Sequence, residues 1–185
     1  MCIIIVKPSG VDMPTIQTLE SCLLRNNHGF GFSVPNKKPF KTMSFSTFVD
    51  KLYQVDIETP CIIHFRYATH GSINQKNCHP FKVDDIAFAH NGVLNVENIN
   101  DMTDSETAFK YILMPSIKTF GLKSKQFKNT IQSIISTSKF AFLTDDGEIK
   151  TYGHFIDDGG LLYSNNSYKS TEIRQRNTYN YYSRF

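Results

Sequence analysis

The sequence has no hydrophobic run long enough to leave water. The longest early apolar run, Ile3 to Val6, is far shorter than a signal-peptide core, and no segment approaches the ~20 apolar residues of a membrane span. There is no C-x-x-C pair, because the cysteines stand at positions 2, 22, 61 and 78. A chain of this size needs no stapling, so reduced thiols are expected. There is no surplus of charge: a formal net charge of +3 is too mild to argue for a polyanionic partner, and nucleic acid is not expected. H-E-x-x-H, internal repeats and linkers are also missing. These absences point to a soluble cytoplasmic protein without membrane association. What is there is 185 residues, 40% hydrophobic and 13% aromatic, a globular composition sufficient for one sizeable core.

Hydrophobic spacing gives a coarse order of elements. Ile3 to Lys7 reads as a buried strand ended by Pro8-Ser9-Gly10. Pro14 and Thr15 open a helix with Ile16, Leu19, Leu23 and Leu24 on one face, stopping at Asn27-His28-Gly29. Phe30 to Val34 reads as a strand closed by a turn over 35–39, and Phe45 to Leu52 has helical spacing. Strands resume at Cys61 to Tyr67 and Ile86 to His90. Helical stretches follow at Ser105 to Lys118, where Thr103 and Glu106 have capping-box spacing, and at Lys125 to Ser136. A hairpin, Phe140 to Thr144 and Glu148 to Tyr152, turns on Asp145-Asp146-Gly147, and Leu161 to Tyr163 adds a strand. Strands, helices and strands again imply an α+β domain of sheets covered by helices.

Three polar segments stand at strand ends: H-F-R-Y-A-T-H-G from His64, N-Q-K-N-C-H-P-F from Asn74, and His90-Asn91-Gly92. Loops on rigid strands are where function concentrates. Strand alternation puts His64 and Arg66 on one face, and the planar fork of Arg66 suits a carboxylate, whether a ligand's or one of the protein's own. Asn91-Gly92 fits a plain hairpin turn. It fits equally a pair of donors for a developing oxyanion, the Asn91 amide and the Gly92 N–H, which lacks a Cβ in the way. Asp104 either complements the positive end of the helix it opens or holds an ammonium group.

Cys2 gains nothing from packing at a fraying end. Removal of Met1, which a small second residue permits, would give this residue a thiol and a free α-amine together. Reference pKa values of about 7.7 to 8.0 for the amine and 8.5 for the thiol make proton transfer between them inexpensive. Such a unit can attack a carboxamide and return a proton to departing ammonia.

Together, Met1-Cys2, H-F-R-Y-A-T-H-G, N-Q-K-N-C-H-P-F, A-H-N-G-V-L-N and T-D-S-E, in that order, resemble the class II glutamine amidotransferases, which are N-terminal nucleophile hydrolases. The resemblance covers roughly the first two thirds of the chain. It implies a four-layer αββα sandwich, two antiparallel sheets between helical layers, over residues 1–167, with 168–185 as a basic, aromatic tail. It makes Cys2 the nucleophile, Arg66 the ligand of the glutamine α-carboxylate with Thr69 and His70 lining that pocket, Asn91 and Gly92 the oxyanion hole, and Asp104 the partner of the α-amine. No cofactor and no metal are implied. Tyr67 stands where many relatives have tryptophan, and Cys78 where a smaller or hydroxylic residue is usual. His64 and His79 read as structural, and His28 receives no chemical step. The length leaves no room for the acceptor domain of synthase members. The expected protein is therefore a free-standing amidohydrolase, a subunit delivering ammonia to a separate synthase, or a hydrolase of another γ-glutamyl compound.

Two rivals remain. Cys61, His64, His70, Cys78, His79 and His90 fall within thirty residues, and Cys61-x-x-His64 resembles half of a zinc-ligand pair, although no second compact pair follows. An interaction protein that keeps the fold without turnover is the other. In the tail, Lys169, Arg174, Arg176 and Arg184 interleave with aromatics. Such a segment can track single-stranded nucleic acid, but a docking role is favoured.

Overall fold

The computed structural model describes residues 1–68, 71–97, 99 and 102–169. Strands β1 (Ile3–Lys7), β2 (Phe30–Ser33), β3 (Phe40–Thr42), β4 (Cys61–Phe65), β9 (Ile156–Asp158) and β10 (Leu161–Tyr163) form one antiparallel sheet in the order β3-β2-β4-β1-β10-β9. Strands β5 (Phe81–Val83), β6 (Ile86–Asn91), β7 (Lys139–Thr144) and β8 (Ile149–Tyr152) form a second antiparallel sheet in chain order.

Each sheet buries one face under helices and the other against its partner sheet. Helices α1 (Ile16–Arg25) and α2 (Phe45–Leu52) cover the first sheet, where Leu19, Phe48 and Leu52 meet Ile3, Ile5, Phe30 and Ile63. Helices α3 (Asp104–Ala108), α4 (Met114–Phe120) and α5 (Lys125–Ile134) cover the second, with Phe109, Phe127 and Ile131 against Phe88, Phe140 and Phe142. Between the sheets Ile4, Val6 and Ile62 meet Ala87, Ala89, Ala141 and Leu143. The αββα sandwich is thus the observed fold, and period-two alternation explains it: odd residues of β1 face helices and even ones face the opposite sheet.

Helix starts follow local chemistry. Thr15, Ser44, Thr103 and Ser124 each accept a hydrogen bond from the backbone N–H three residues on, at 3.2, 3.3, 3.2 and 2.9 Å, worth about 1 kcal/mol apiece. Between α3 and α4 the residues Phe109–Leu113 form a π-helical turn. Pro115 explains it, because a proline ring clashes with the carbonyl four residues back and offers no N–H, and a widened turn relieves both.

Several expectations need correction. Helix α1 buries Leu19 and Cys22, whereas Ile16 is 45% and Leu24 69% exposed. At 100° per residue Leu24 stands about 140° from Leu19, too far round for one face. Strand β6 runs on through Asn91, which pairs with Lys139 of β7, so Asn91-Gly92 is not a hairpin turn. The three-residue strands β3, β5 and β9 are additions to the expected order. All four cysteines are free thiols, and no helix of the described residues is long and apolar enough to cross a membrane.

Candidate active site

The inter-sheet layer opens at one end. There β1 begins, β4 and β6 finish, and a cavity of about 930 Å³ is lined by Cys2, Arg66, Gly92 and Asp104. Four of the site residues expected from the sequence therefore share one cavity, although they come from four separate segments. Asn91 lies beside it, 1% exposed, with its side chain turned between the sheets. Thr69 and His70 lie outside the described residues.

The Cys2 thiol sits against the backbone of Tyr67, donating to its carbonyl at 3.4 Å and accepting from its N–H at 3.2 Å. Burial pushes the thiol pKa up, and the Tyr67 hydrogen bond, the chain's amino terminus and Arg66 pull it partly back. Burial and the hydrogen bond donated to the Tyr67 carbonyl both favour the protonated thiol. The Tyr67 segment is itself held: the Tyr67 ring stacks on His28 at 5.0 Å, and His28 Nδ1 accepts from the Ala68 N–H at 3.0 Å. That bond requires the neutral tautomer protonated on Nε2.

Arg66, 4% exposed, donates from Nη1 to the Ser72 carbonyl at 3.1 Å, and Asn77 Nδ2 donates to the same carbonyl at 3.0 Å. The guanidinium is thus aimed by a loop that Asn77 pins. Asp104 complements the start of α3 and also lines the cavity. Its Oδ1 accepts from the Ser105 N–H at 2.7 Å, and its Oδ2 accepts from the Leu94 N–H at 2.9 Å. Ser105 Oγ also contacts Asp104 Oδ1 at 3.1 Å and His90 Nδ1 at 2.7 Å.

Gly92 has φ +145°, and a Cβ there would come within 2.1 Å of Ser138 Oγ. Only glycine fits, and it lines the cavity. The Asn91 amide donates from Nδ2 to Ser164 Oγ at 2.9 Å. Neither Ser164 nor Asn165, whose Nδ2 donates to the Cys2 carbonyl at 2.7 Å, carries a motif, and sequence reasoning missed both. His90 and Asn77 lay inside quoted motifs without a role.

Three buried histidines stand at the cavity, with His79 and His90 lining it and His64 packed beneath. His64 and His79 pack edge to face at 4.3 Å, and His79 and His90 at 6.4 Å. Burial lowers the pKa of His64 to about 3 and of His90 to about 4, and drives His79 well down. Cys78 is fully buried, its Sγ filling the space that a Cβ on Gly29 would need. Among the described residues no three His, Cys, Asp or Glu side chains are grouped to hold a metal ion.

Two antiparallel sheets between helical layers, with a thiol at the start of a central strand, define an N-terminal nucleophile hydrolase fold. Two of the solved structures similar to this chain illustrate it. A glutamine phosphoribosylpyrophosphate amidotransferase from B. subtilis, complexed with ADP and GMP, superposes with a TM-score of 0.59 at 19% identity over 89% of this chain and 42% of its own. The allosteric regulatory enzyme of purine biosynthesis gives 0.52 at 22% over 78% and 36%. The chain belongs to the class II glutamine amidotransferases, whose family model matches residues 35–181. A Haemophilus influenzae protein provisionally named as a glutamine amidotransferase is 32% identical over 127 residues, 57% of this chain and 42% of the relative. The glutamine–fructose-6-phosphate aminotransferase of Agrobacterium fabrum is 43% identical over 47 residues, 25% of this chain and 7% of the relative. The chain therefore spans less than half the length of these relatives.

Proposed function

We propose that the protein hydrolyses the side-chain amide of glutamine, or of a related γ-glutamyl compound, through a thioester on Cys2. The observation that carries this reading is the convergence of Cys2, Arg66, Gly92 and Asp104 on one cavity. Arg66 grips the α-carboxylate as a charge-assisted fork and Asp104 receives the α-ammonium, which fixes the substrate at its amino-acid end. With Met1 removed, the α-amine of Cys2 takes the thiol proton and sulfur bonds to the amide carbon. The carbonyl electron pair moves to oxygen, where the Gly92 N–H and the second N–H of the Asn91 amide stabilise it. The pair returns, the C–N bond breaks, and the α-amine gives its proton to the departing ammonia. Water, deprotonated by the same amine, opens the thioester and releases the carboxylate product.

The ammonia is either set free or passed to a separate synthase subunit. Residues 1–167 form the glutaminase domain in this reading, with Thr69 and His70 completing the carboxylate pocket. Intact mass after treatment with a diazo ketone analogue of glutamine tests the mechanism. One adduct on a chain lacking Met1, blocked by an N-terminal tag that prevents processing, is expected. A native protein that retains Met1 and still releases ammonia from glutamine would overturn it.

A further inference from the structure

We propose that Ser164 and Asn165, which follow β10, are positioning residues that clamp the nucleophile-bearing residue to the amide that meets the oxyanion. The inference rests on the glutaminase reading above. Ser164 grips Ile4 at two points: its N–H donates to the Ile4 carbonyl at 3.0 Å, and its Oγ accepts from the Ile4 N–H at 2.9 Å. Ile4 lies two residues from Cys2, on the same face of β1. The same Oγ accepts from Asn91 Nδ2 at 2.9 Å, across the gap between the sheets. One side-chain oxygen therefore ties the strand carrying the nucleophile to the strand carrying the oxyanion donor.

Asn165 adds the second hold, donating from Nδ2 to the Cys2 carbonyl at 2.7 Å. Its own orientation is set from the far side, because Asn165 Oδ1 accepts from the Ser167 N–H at 2.9 Å and from the Ser167 hydroxyl. The turn that follows is anchored in turn: Tyr168 stacks on Tyr163 at 3.6 Å and donates to Asp158 Oδ2 at 2.9 Å. The clamp therefore hangs from packed strands.

The consequence for chemistry is directional. The Asn91 amide has two N–H bonds in one plane, and Ser164 takes one of them, which fixes where the other points. Asn91 Oδ1 has no hydrogen-bond partner among the described residues, so no second bond of that kind holds the plane. Donors act on an oxyanion only when preorganised, and a misdirected donor is worth little. Ser164 is 3% exposed, so its removal leaves a small void and an unheld amide without cutting into the Arg66 and Asp104 end of the cavity.

Ser164→Ala separates these roles. In correctly folded protein, kcat for glutamine hydrolysis is expected to fall about 10- to 100-fold with KM within about twofold of wild type. Because Ser164 acts through Asn91, the double variant Ser164→Ala/Asn91→Ala should be no slower than Asn91→Ala alone. Exchange of the Asn91 side-chain amide protons, read by ¹⁵N-resolved NMR without any substrate, should speed up at least about tenfold. Asn165→Ala should lower kcat while leaving that exchange unchanged, and it serves if Ser164→Ala does not fold. Unaltered kcat in Ser164→Ala, or a fully additive loss in the double variant, would overturn the clamp. A wild type inert toward glutamine would instead sink the glutaminase reading, and the amide exchange would still decide whether Ser164 holds Asn91.

Discussion

At one end of the layer between the sheets lie Val6, Ile62, Ala87 and Leu143, all apolar and closed to solvent. At the other lie Cys2, Arg66, Asn91 and Ser164. The same strands run through both ends, and each changes character along its own inward face: Val6, Ile4, Cys2 on β1; Ile62, His64, Arg66 leading out of β4; Ala87, Ala89, Asn91 on β6; Leu162, Ser164 on β10. Stability and chemistry are therefore divided within a layer, not between layers. The closed end gains free energy from burial. The open end gives that up to hold polar groups in fixed directions, and it can do so because the strands are already aligned a few residues away.

The sharpest way to break this comparison is at Cys2. Cys2→Ala should reduce glutamine hydrolysis by at least about 10³-fold, the scale of removing a nucleophile, while urea unfolding stays close to wild type. A comparable loss of stability would mean that the open end also carries the fold. The converse substitution is Ile62→Ala. It should cost about 2–5 kcal/mol in denaturant unfolding, because it empties a fully buried position. The folded fraction should turn over normally, as a ratio of activity to folded protein across a temperature series will show. Arg66→Lys comes next. It replaces a planar fork by a point charge, and kcat/KM should fall about 10- to 100-fold, chiefly through KM, with thermal midpoint little altered.

The smallest effect concerns the buried histidines at the cavity. Burial holds His64 down to about 3 and His90 to about 4, and depresses His79. Their unfolded counterparts take up protons near pH 6.5. The unfolded chain then binds more protons, so the stability tied to these neutral rings is complete above about pH 6.5 and drains away as pH falls toward 4 and below. His79→Phe keeps the ring contacts with Phe81 and His64 and should flatten the stability–pH slope between pH 6.5 and 4 by about one proton. An unchanged slope would show that His79 is already charged in the folded state.

Much of the fold was legible because long elements carry periodicity. The span Phe45–Leu52 was read from spacing with both ends right, and the β7–β8 hairpin announced itself through Asp145-Asp146-Gly147. Strands β3, β5 and β9, at three residues each, carry no continuous apolar run to mark them, unlike the equally short β10 with Leu161-Leu162-Tyr163. Leu24 was misplaced because four leucine-type side chains on a ten-residue helix fit more than one face. The site divides in a similar way. Cys2, Arg66, Gly92 and Asp104 were grouped by motif and order, and they share one cavity. Ser164 and Asn165 were not, because their roles depend on partners 160 and 163 residues away, and an isolated serine or asparagine after a short strand looks like any other. That Gly92 must be glycine was also hidden, since the obstruction, Ser138 Oγ, comes from the approach to β7.

The position of β1 between β4 and β10 sets an order of events during synthesis. One edge of β1 is filled by β10, a strand made some hundred and fifty residues later, so that edge waits unpaired until β10 follows. Throughout that interval the Cys2 carbonyl has no Asn165 to bind. The corner around Cys2 is therefore completed late relative to the strands it joins, because its clasp can close only once β10 has docked beside β1.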